Sequence, residues 1–238
     1  MALPPTAAIL LAAGNSRRMN TLTTDKVLHP INGKAVIAYS LSAFEETNFV
    51  SDYVIVYRDA QQQIKLEEAL DPHIQKNKTV HWVQGGATRQ GSVHNALTAL
   101  PEQIEIAFIH DAARPLITPS ALQTLYGATL RHDAAVLAHQ ATDSIKRVQA
   151  TDPLSGPAQL EPLNRSQLWA METPQAFKRT LIQEAYDFCV KKNIHVTDDT
   201  AALYALGHKV QLIDHRSPNL KLTTPKDLDY ITFLLSEK

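Results

Sequence analysis

An α/β architecture, a mainly parallel sheet covered by helices on both faces, is what this chain predicts. Three observations carry that expectation. Short apolar runs alternate with longer amphipathic stretches from Ala7 to Ala138. Ala7–Leu11 reads as a compact strand and Ile104–Ile109 as a buried one, as in a sheet covered on both faces. The 238 residues, 44% hydrophobic and 20% charged, suit one sizeable globular core and not a disordered polymer.

In chain order, Ala7–Leu11 reads as a compact strand that breaks at Gly14. Ala35–Glu46 has helical periodicity, and Tyr53–Tyr57 is a strand rich in β-branched residues. Gln61–Leu70 reads as a helix, Thr79–Val83 as a strand, Ala87–Leu100 as a helix and Ile104–Ile109 as a buried strand. Pro119-Ser120 opens a helix through Leu130, because proline suits a first helical turn, and Ala134–Ala138 is a strand. The rhythm breaks near residue 143. Ile145–Val148 and Gln159–Asn164 read as short strands around the polar turn Thr151–Pro157. Each is only a few residues long, so residues 143 to about 165 are expected to form a hairpin arm and not a linker. A helix over Gln175–Lys191, a short helix over Asp199–Leu206, a strand over Lys209–Ile213 and a helix after Pro225 complete the expected order. No internal repeat divides the chain, and residues 1–238 are expected to form one domain.

The formal net charge is −1, so no global pull toward nucleic acid or acidic membrane is expected, and a phosphate site must be a local cluster of cations. The single cysteine, Cys189, excludes an intramolecular disulfide and falls in an apolar helical pattern, as a buried thiol would. No basic leader precedes the apolar run Ala7–Ala13, which is too short to span a bilayer. A cytoplasmic protein is expected.

Ligands of open parallel sheets sit beyond the carboxyl ends of the strands, so the loops there hold the chemistry. The first loop runs Leu11-Ala12-Ala13-Gly14-Asn15-Ser16-Arg17-Arg18-Met19 and on to Lys26. Small residues let backbone N–H groups approach phosphates, and the cations neutralise them. A solvated basic loop would look similar. Gln84-Gly85-Gly86-Ala87-Thr88-Arg89-Gln90-Gly91-Ser92 suits close contact with a flat base or a phosphate, and equally a turn and helix cap. In His110-Asp111-Ala112-Ala113-Arg114-Pro115, a carboxylate ending a buried strand is placed to hold Mg²⁺ against phosphate oxygens. The alternative is an Asp111–Arg114 turn ion pair, and His110 is expected to pack rather than catalyse. Thr142–Arg147 with Asn164-Arg165 and Glu172-Thr173-Pro174-Gln175 could clamp a second phosphate, or be a charged exposed arm. Thr224-Pro225 with Asp227 is helix-start chemistry that leaves Lys221 unexplained, and Thr197-Asp198-Asp199-Thr200 reads as a helix N-cap.

Taken in order, these segments resemble the cytidylyltransferases that make 4-diphosphocytidyl-2-C-methyl-D-erythritol in the non-mevalonate isoprenoid pathway. The resemblance covers Ala8 to about Leu235 and rests on the ordered set: Ala-Ala-Gly…Arg-Met…Lys, Gly-Gly-x-x-Arg-x-x-Ser, His-Asp-Ala-Ala-Arg-Pro, Asp-Ser-x-Lys, Arg…Trp…Thr-Pro-Gln, Thr-Asp-Asp and Asn-Leu-Lys-Leu-Thr. It implies a Rossmann-like nucleotidyltransferase fold. It implies that Arg18, Lys26 and Lys221 contact the triphosphate of CTP, that Asp111 holds Mg²⁺, and that Gly86, Ala87 and Ser92 read the cytosine. Ala12, Ala13, Gly14 and Ala112 would line the nucleotide. Ser144 and Arg165, with Thr173 and Arg114 nearby, would bind the polyol phosphate. A homodimer would form through the arm, which would reach into the neighbouring active site.

Three departures from the family pattern stand out. Ser16 replaces a second glycine, Asp25 replaces a proline, and the stretch from Met19 to Lys26 is one residue longer. Asp25 would oppose a triphosphate unless it points away or meets a cation. The implied reaction is attack of the substrate's phosphate oxygen on the α-phosphorus of CTP, expelling pyrophosphate. Two alternatives stay open: the same chemistry on ribitol 5-phosphate, and a catalytically weak nucleotide-binding regulatory protein, which Ser16 and Asp25 suggest. Ala112-Ala113 between Asp111 and Arg114 favours the methylerythritol substrate.

Overall fold

The computed structural model describes residues 3–14, 25–149 and 154–237. The strands are β1 (Thr6–Leu11), β2 (Pro30–Ile31), β3 (Lys34–Ala35), β4 (Val50–Tyr57), β5 (Thr79–Gln84), β6 (Ile106–Asp111), β7 (Ala134–Gln140), β8 (Lys146–Gln149), β9 (Gln159–Pro162), β10 (Trp169–Lys178) and β11 (Gln211–Asp214). The helices are α1 (Val36–Glu45), α2 (Ala60–Leu70), α3 (Arg89–Thr98), α4 (Pro119–His132), α5 (Arg179–Lys192), α6 (Asp199–Ala205) and α7 (Pro225–Ser236). Seven strands form one sheet in the order β11-β7-β10-β6-β1-β4-β5. β10 runs antiparallel to both of its neighbours, and the other pairings are parallel. The expected mainly parallel α/β fold is therefore present.

Strand periodicity divides the core. Ala8 and Leu10 of β1 join Tyr53, Ile55 and Phe108 on one face, under α1, α2 and α4. Ala7 and Ile9 join Val54, Val56 and Ile109 on the other, under α3, α5 and α6. Burying each such leucine, isoleucine or phenylalanine is worth about 1.5–3 kcal/mol, and two covered faces explain why Ala7–Leu10 and Tyr53–Val56 are apolar at every position. Cys189 is fully buried in the second cluster, as expected.

Cap chemistry sets helix boundaries to within a residue or two. The Thr88 side chain accepts from Gly91 N–H, so α3 starts at Arg89 and not at Ala87. Asp198 caps α6 by accepting from Ala201 N–H, and Thr224 with Asp227 forms a capping box on α7.

One expectation fails. Gln175 to Lys178 belongs to β10, and α5 starts only at Arg179. Glu172 to Phe177 are all buried between β6 and β7. Glu172, Thr173 and Gln175 interrupt the apolar signal of a central strand, which left only the helical pattern of the residues that follow. The β2–β3 hairpin was not anticipated, since two residues a side carry no periodicity.

β8 and β9 pair only with each other, in the register Lys146↔Pro162 to Gln149↔Gln159. All four β8 residues are exposed, as are Ile145, Val148 and Leu160. The arm's apolar side chains are therefore left open within one chain. No helix among the described residues is long and apolar enough to cross a membrane.

Candidate active site

A cavity of about 400 Å³ opens at the carboxyl ends of β1, β5 and β6. It is lined by Ala12, Ala13 and Gly14 after β1, Gly85 to Arg89 after β5, Asp111 ending β6, and the cations Lys26, Arg58 and Lys221. β1 is the switch point, with β4 on one side and β6 on the other, where open α/β sheets bind ligands.

The glycine turn is shaped by close approach. A Cβ on Gly85 would stand 2.6 Å from the Ala13 Cβ, and one on Gly86 2.9 Å from the Gly91 carbonyl carbon. Ser92 accepts a hydrogen bond from Gly86 N–H at 3.1 Å and donates to the Thr88 carbonyl at 2.9 Å. Its hydroxyl thus holds the turn that forms this wall.

Asp111 is the single acidic side chain lining the cavity among the described residues. Lys221 Nζ lies 2.6 Å from its Oδ2, and Arg89 Nε 3.4 Å from its Oδ1. Burial pushes this carboxyl upward, but the Arg89 and Lys221 charges outweigh it and hold it well below the usual carboxylate range. Asp111 is thus ionised. Its main chain is fixed as well, because Asp111 N–H donates to Thr173 Oγ1 at 3.0 Å. No group of three or more acidic, histidine or cysteine side chains among the described residues could hold a metal ion. A single carboxylate whose Oδ1 has only a long contact does fit Mg²⁺ of the kind that takes most of its ligands from substrate phosphates and water.

Arg89 is held from behind. Its Nη1 and Nη2 donate to Asp199 Oδ1 and Oδ2 at 2.8 Å each, and Tyr186 donates to Asp199 Oδ1 at 2.5 Å. Burial alone would lower the arginine's pKa, but Asp199 overrides it and keeps the guanidinium charged. Sequence reasoning quoted both Arg89 and Asp199 within motifs but gave neither a role. The adjacent Asp198 is the cap, whereas Asp199 is fully buried.

Lys26 Nζ donates to the Leu222 carbonyl at 3.0 Å, which ties the end of the first loop to the segment bearing Lys221. Asp25 meets a cation: its Oδ2 accepts from Arg58 Nη1 at 2.8 Å and from Gln62 Nε2 at 2.6 Å. Gln62 also donates to the Ala12 carbonyl. Asp25 therefore anchors the loop, and the objection that its charge faces a triphosphate is met. Arg18 and Ser16 lie outside the described residues.

The remaining expected residues divide into two groups. Ala112 is buried beneath the cavity floor and does not line it. Arg114 donates to the Asn219 carbonyl at 2.6 Å and feels the Asp111 charge without pairing directly with it, so the alternative of a turn ion pair does not form. Ser144 and Arg165 lie on the exposed arm, outside the cavity. Arg165 Nη1 donates to the Thr142 carbonyl at 2.8 Å and lines a shallow pocket at the arm's foot.

His110 packs, as expected. Its Nε2 lies 3.2 Å from Ser40 Oγ and from the Arg114 carbonyl, and its Nδ1 3.2 Å from Thr173 Oγ1. Full burial pushes its pKa down to about 4 from 6.5. The unfolded chain then binds a proton between those values that the folded chain refuses, so stability falls as the pH drops through this window. The whole window corresponds to about 3 kcal/mol. Urea unfolding at pH 7 and pH 5 should show about 2 kcal/mol of this loss in the native protein and a smaller one in His110→Gln; equal losses would place the titration elsewhere.

Comparison with known proteins identifies the family. The family model described as 2-C-methyl-D-erythritol 4-phosphate cytidylyltransferase matches residues 6–237. Proteins of that name from Parasynechococcus marenigrum and Halalkalibacterium halodurans are 36% and 35% identical to the chain. The first match covers 96% of both chains, and the second covers 98% of this chain and 97% of the relative. A solved structure of the Francisella tularensis protein of that name superposes with a TM-score of 0.78 at 27% identity, covering 96% of this chain and 99% of that one. The chain belongs to the 2-C-methyl-D-erythritol 4-phosphate cytidylyltransferase family.

Proposed function

We propose that the chain transfers CMP from CTP to 2-C-methyl-D-erythritol 4-phosphate, releasing pyrophosphate and forming 4-diphosphocytidyl-2-C-methyl-D-erythritol, a step of isoprenoid precursor biosynthesis. The observation that carries this reading is the cavity at the β1 switch point, where cations surround one ionised carboxylate beside a tight glycine turn. Residues 1–238 act as one domain, supported by a single family match along nearly the whole chain. The site is that of a cytoplasmic enzyme with neither a nucleic acid nor a membrane partner.

The CTP triphosphate lies against Arg18, Lys26 and Lys221, with its ribose and base along Ala12, Ala13 and Gly14. Backbone groups of Gly86 and Ala87 read the cytosine edge, in a turn held by Ser92. Asp111 would hold Mg²⁺, which supplies positive charge to the triphosphate oxygens when bound. The polyol phosphate binds Ser144 and Arg165 of a partner subunit's arm, with Arg114 and Thr173 at the back of the site. The nucleophile is already anionic near neutral pH, since the second pKa of a phosphate monoester is about 6. It needs no general base, and His110 is buried and neutral. The chain's contribution is orientation and charge stabilisation.

Pyrophosphate release from CTP with methylerythritol phosphate and with ribitol phosphate tests this reading. Turnover with the first alone is expected. Turnover with ribitol phosphate alone, or with neither, would overturn it in favour of the polyol relative or of a regulatory protein. Cytosine read by buried polar groups is discriminated strongly, so kcat/KM for CTP should exceed that for UTP by about 10²-fold or more. Equal use of UTP would leave only a generic nucleotidyltransferase.

A further inference from the structure

Glu172 is a buried carboxylate outside the cavity, with its side chain only 6% exposed. Three groups on different parts of the fold converge on it. His139 Nδ1, on β7, lies 2.7 Å from Oε1. His215 Nδ1, just after β11, lies 2.9 Å from Oε2, and Asn219 Nδ2 donates to the same oxygen at 2.8 Å. Burial pushes this carboxyl upward, but hydrogen bonds from His215, Asn219 and His139 outweigh it and keep it below its ordinary value.

Two of these partners, His215 and Asn219, belong to the segment that reaches the cavity. Residues 215–223, between β11 and the cap of α7, have no helix or strand hydrogen bonding of their own. They must be placed by contacts with the rest of the fold. Asn219 Nδ2 also donates to the Thr173 carbonyl, and the Asn219 carbonyl accepts from Arg114. Two residues on, Lys221 meets Asp111, and the Leu222 carbonyl takes the Lys26 ammonium. His215 N–H and Leu222 N–H are held by the carbonyls of Ala138 and Ala113. Glu172 grips both the start and the middle of this segment from a central strand.

We infer that Glu172 is a positioning residue: by clamping His215 and Asn219 it fixes the backbone that delivers Lys221 to the Asp111 carboxylate and the triphosphate. The inference rests on the role proposed above for Lys221. The physical reason is that an ammonium on a four-carbon stem stabilises developing charge only where its backbone is fixed, and a misplacement of about 1 Å can cost up to about 10²-fold in rate. Glu172 does not line the cavity, so it acts on turnover indirectly, and the route inferred is through Lys221.

A double-mutant cycle tests this with the full-length enzyme. Glu172→Ala should lower kcat/KM for CTP about tenfold, at a temperature where circular dichroism shows it folded. Glu172→Gln, which keeps the length and one acceptor oxygen, should recover part of that loss. In the Lys221→Ala background, adding Glu172→Ala should change kcat/KM by less than about twofold, because the group it positions is gone. Losses that multiply would mean a merely structural role and overturn the inference, as would full activity in Glu172→Ala. Should Glu172→Ala fail to fold, Glu172→Gln takes its place in the cycle and wild-type activity there is the overturning result. Full activity in Lys221→Ala alone would instead remove the Lys221 assignment, and this inference with it.

Discussion

Asp111→Asn is expected to lower turnover by about 10²–10³-fold or more while leaving the protein folded. The substitution keeps the volume of the side chain and removes its charge, and the charge is what the site is arranged to preserve. Burial opposes ionisation of this carboxyl, yet Arg89 and Lys221 hold it ionised. The fold should tolerate the loss because neither cation is left buried and unpaired. Arg89 keeps its two-pronged pairing with Asp199, and the Lys221 side chain is 38% exposed and can turn to water. Nor does the change touch the hydrogen bond from Asp111 N–H to Thr173. Pyrophosphate release at several Mg²⁺ concentrations, beside thermal unfolding, checks the expectation. Near-normal turnover at ordinary Mg²⁺ would remove Asp111 from the metal role, and loss of the folded state would show it to be a structural charge.

What could be read from the sequence follows from how local each signal is. The strands of the main sheet announce themselves because both faces are covered, so that Ala7 to Leu10 and Tyr53 to Val56 are apolar throughout. The loops at their carboxyl ends were then candidates by topology alone, and Lys26, Gly86, Asp111 and Lys221 do meet around one cavity. β10 was hidden by the polar residues it carries to the site, since Thr173 supports Asp111 and Glu172 grips the loop after β11. Pairings between distant residues were equally invisible. Asp25 looked like a misplaced charge until Arg58 and Gln62, 33 and 37 residues away, were found against it. Arg89 and Asp199 are 110 residues apart, and the cap signal of Asp198 covered that of its neighbour.

The arm leads to the second large effect: two inactive variants are expected to restore one another. Lys26→Ala removes a cation of the cavity, and Arg165→Ala removes one at the arm's foot. Each should be nearly inactive alone. Within one chain Arg165 lies outside the cavity, and the β8–β9 ribbon leaves Ile145, Val148 and Leu160 exposed. An isolated two-stranded ribbon is marginal in water, so this apolar surface needs a partner, and a two-fold dimer would bury each arm against the other subunit. If Arg165 serves the neighbouring site, a mixed dimer contains one site with both residues intact and one lacking both. Equal mixing with free exchange makes half the dimers mixed, so about a quarter of all sites should be intact. The measurement is pyrophosphate release after the two variants are mixed under conditions that exchange subunits, with exchange followed by a tag on one variant. Recovery to about a quarter of native activity is the expected result. If Arg165 instead served its own subunit, every site in every combination would lack one residue or the other, and no recovery despite proven exchange would rule out the shared site.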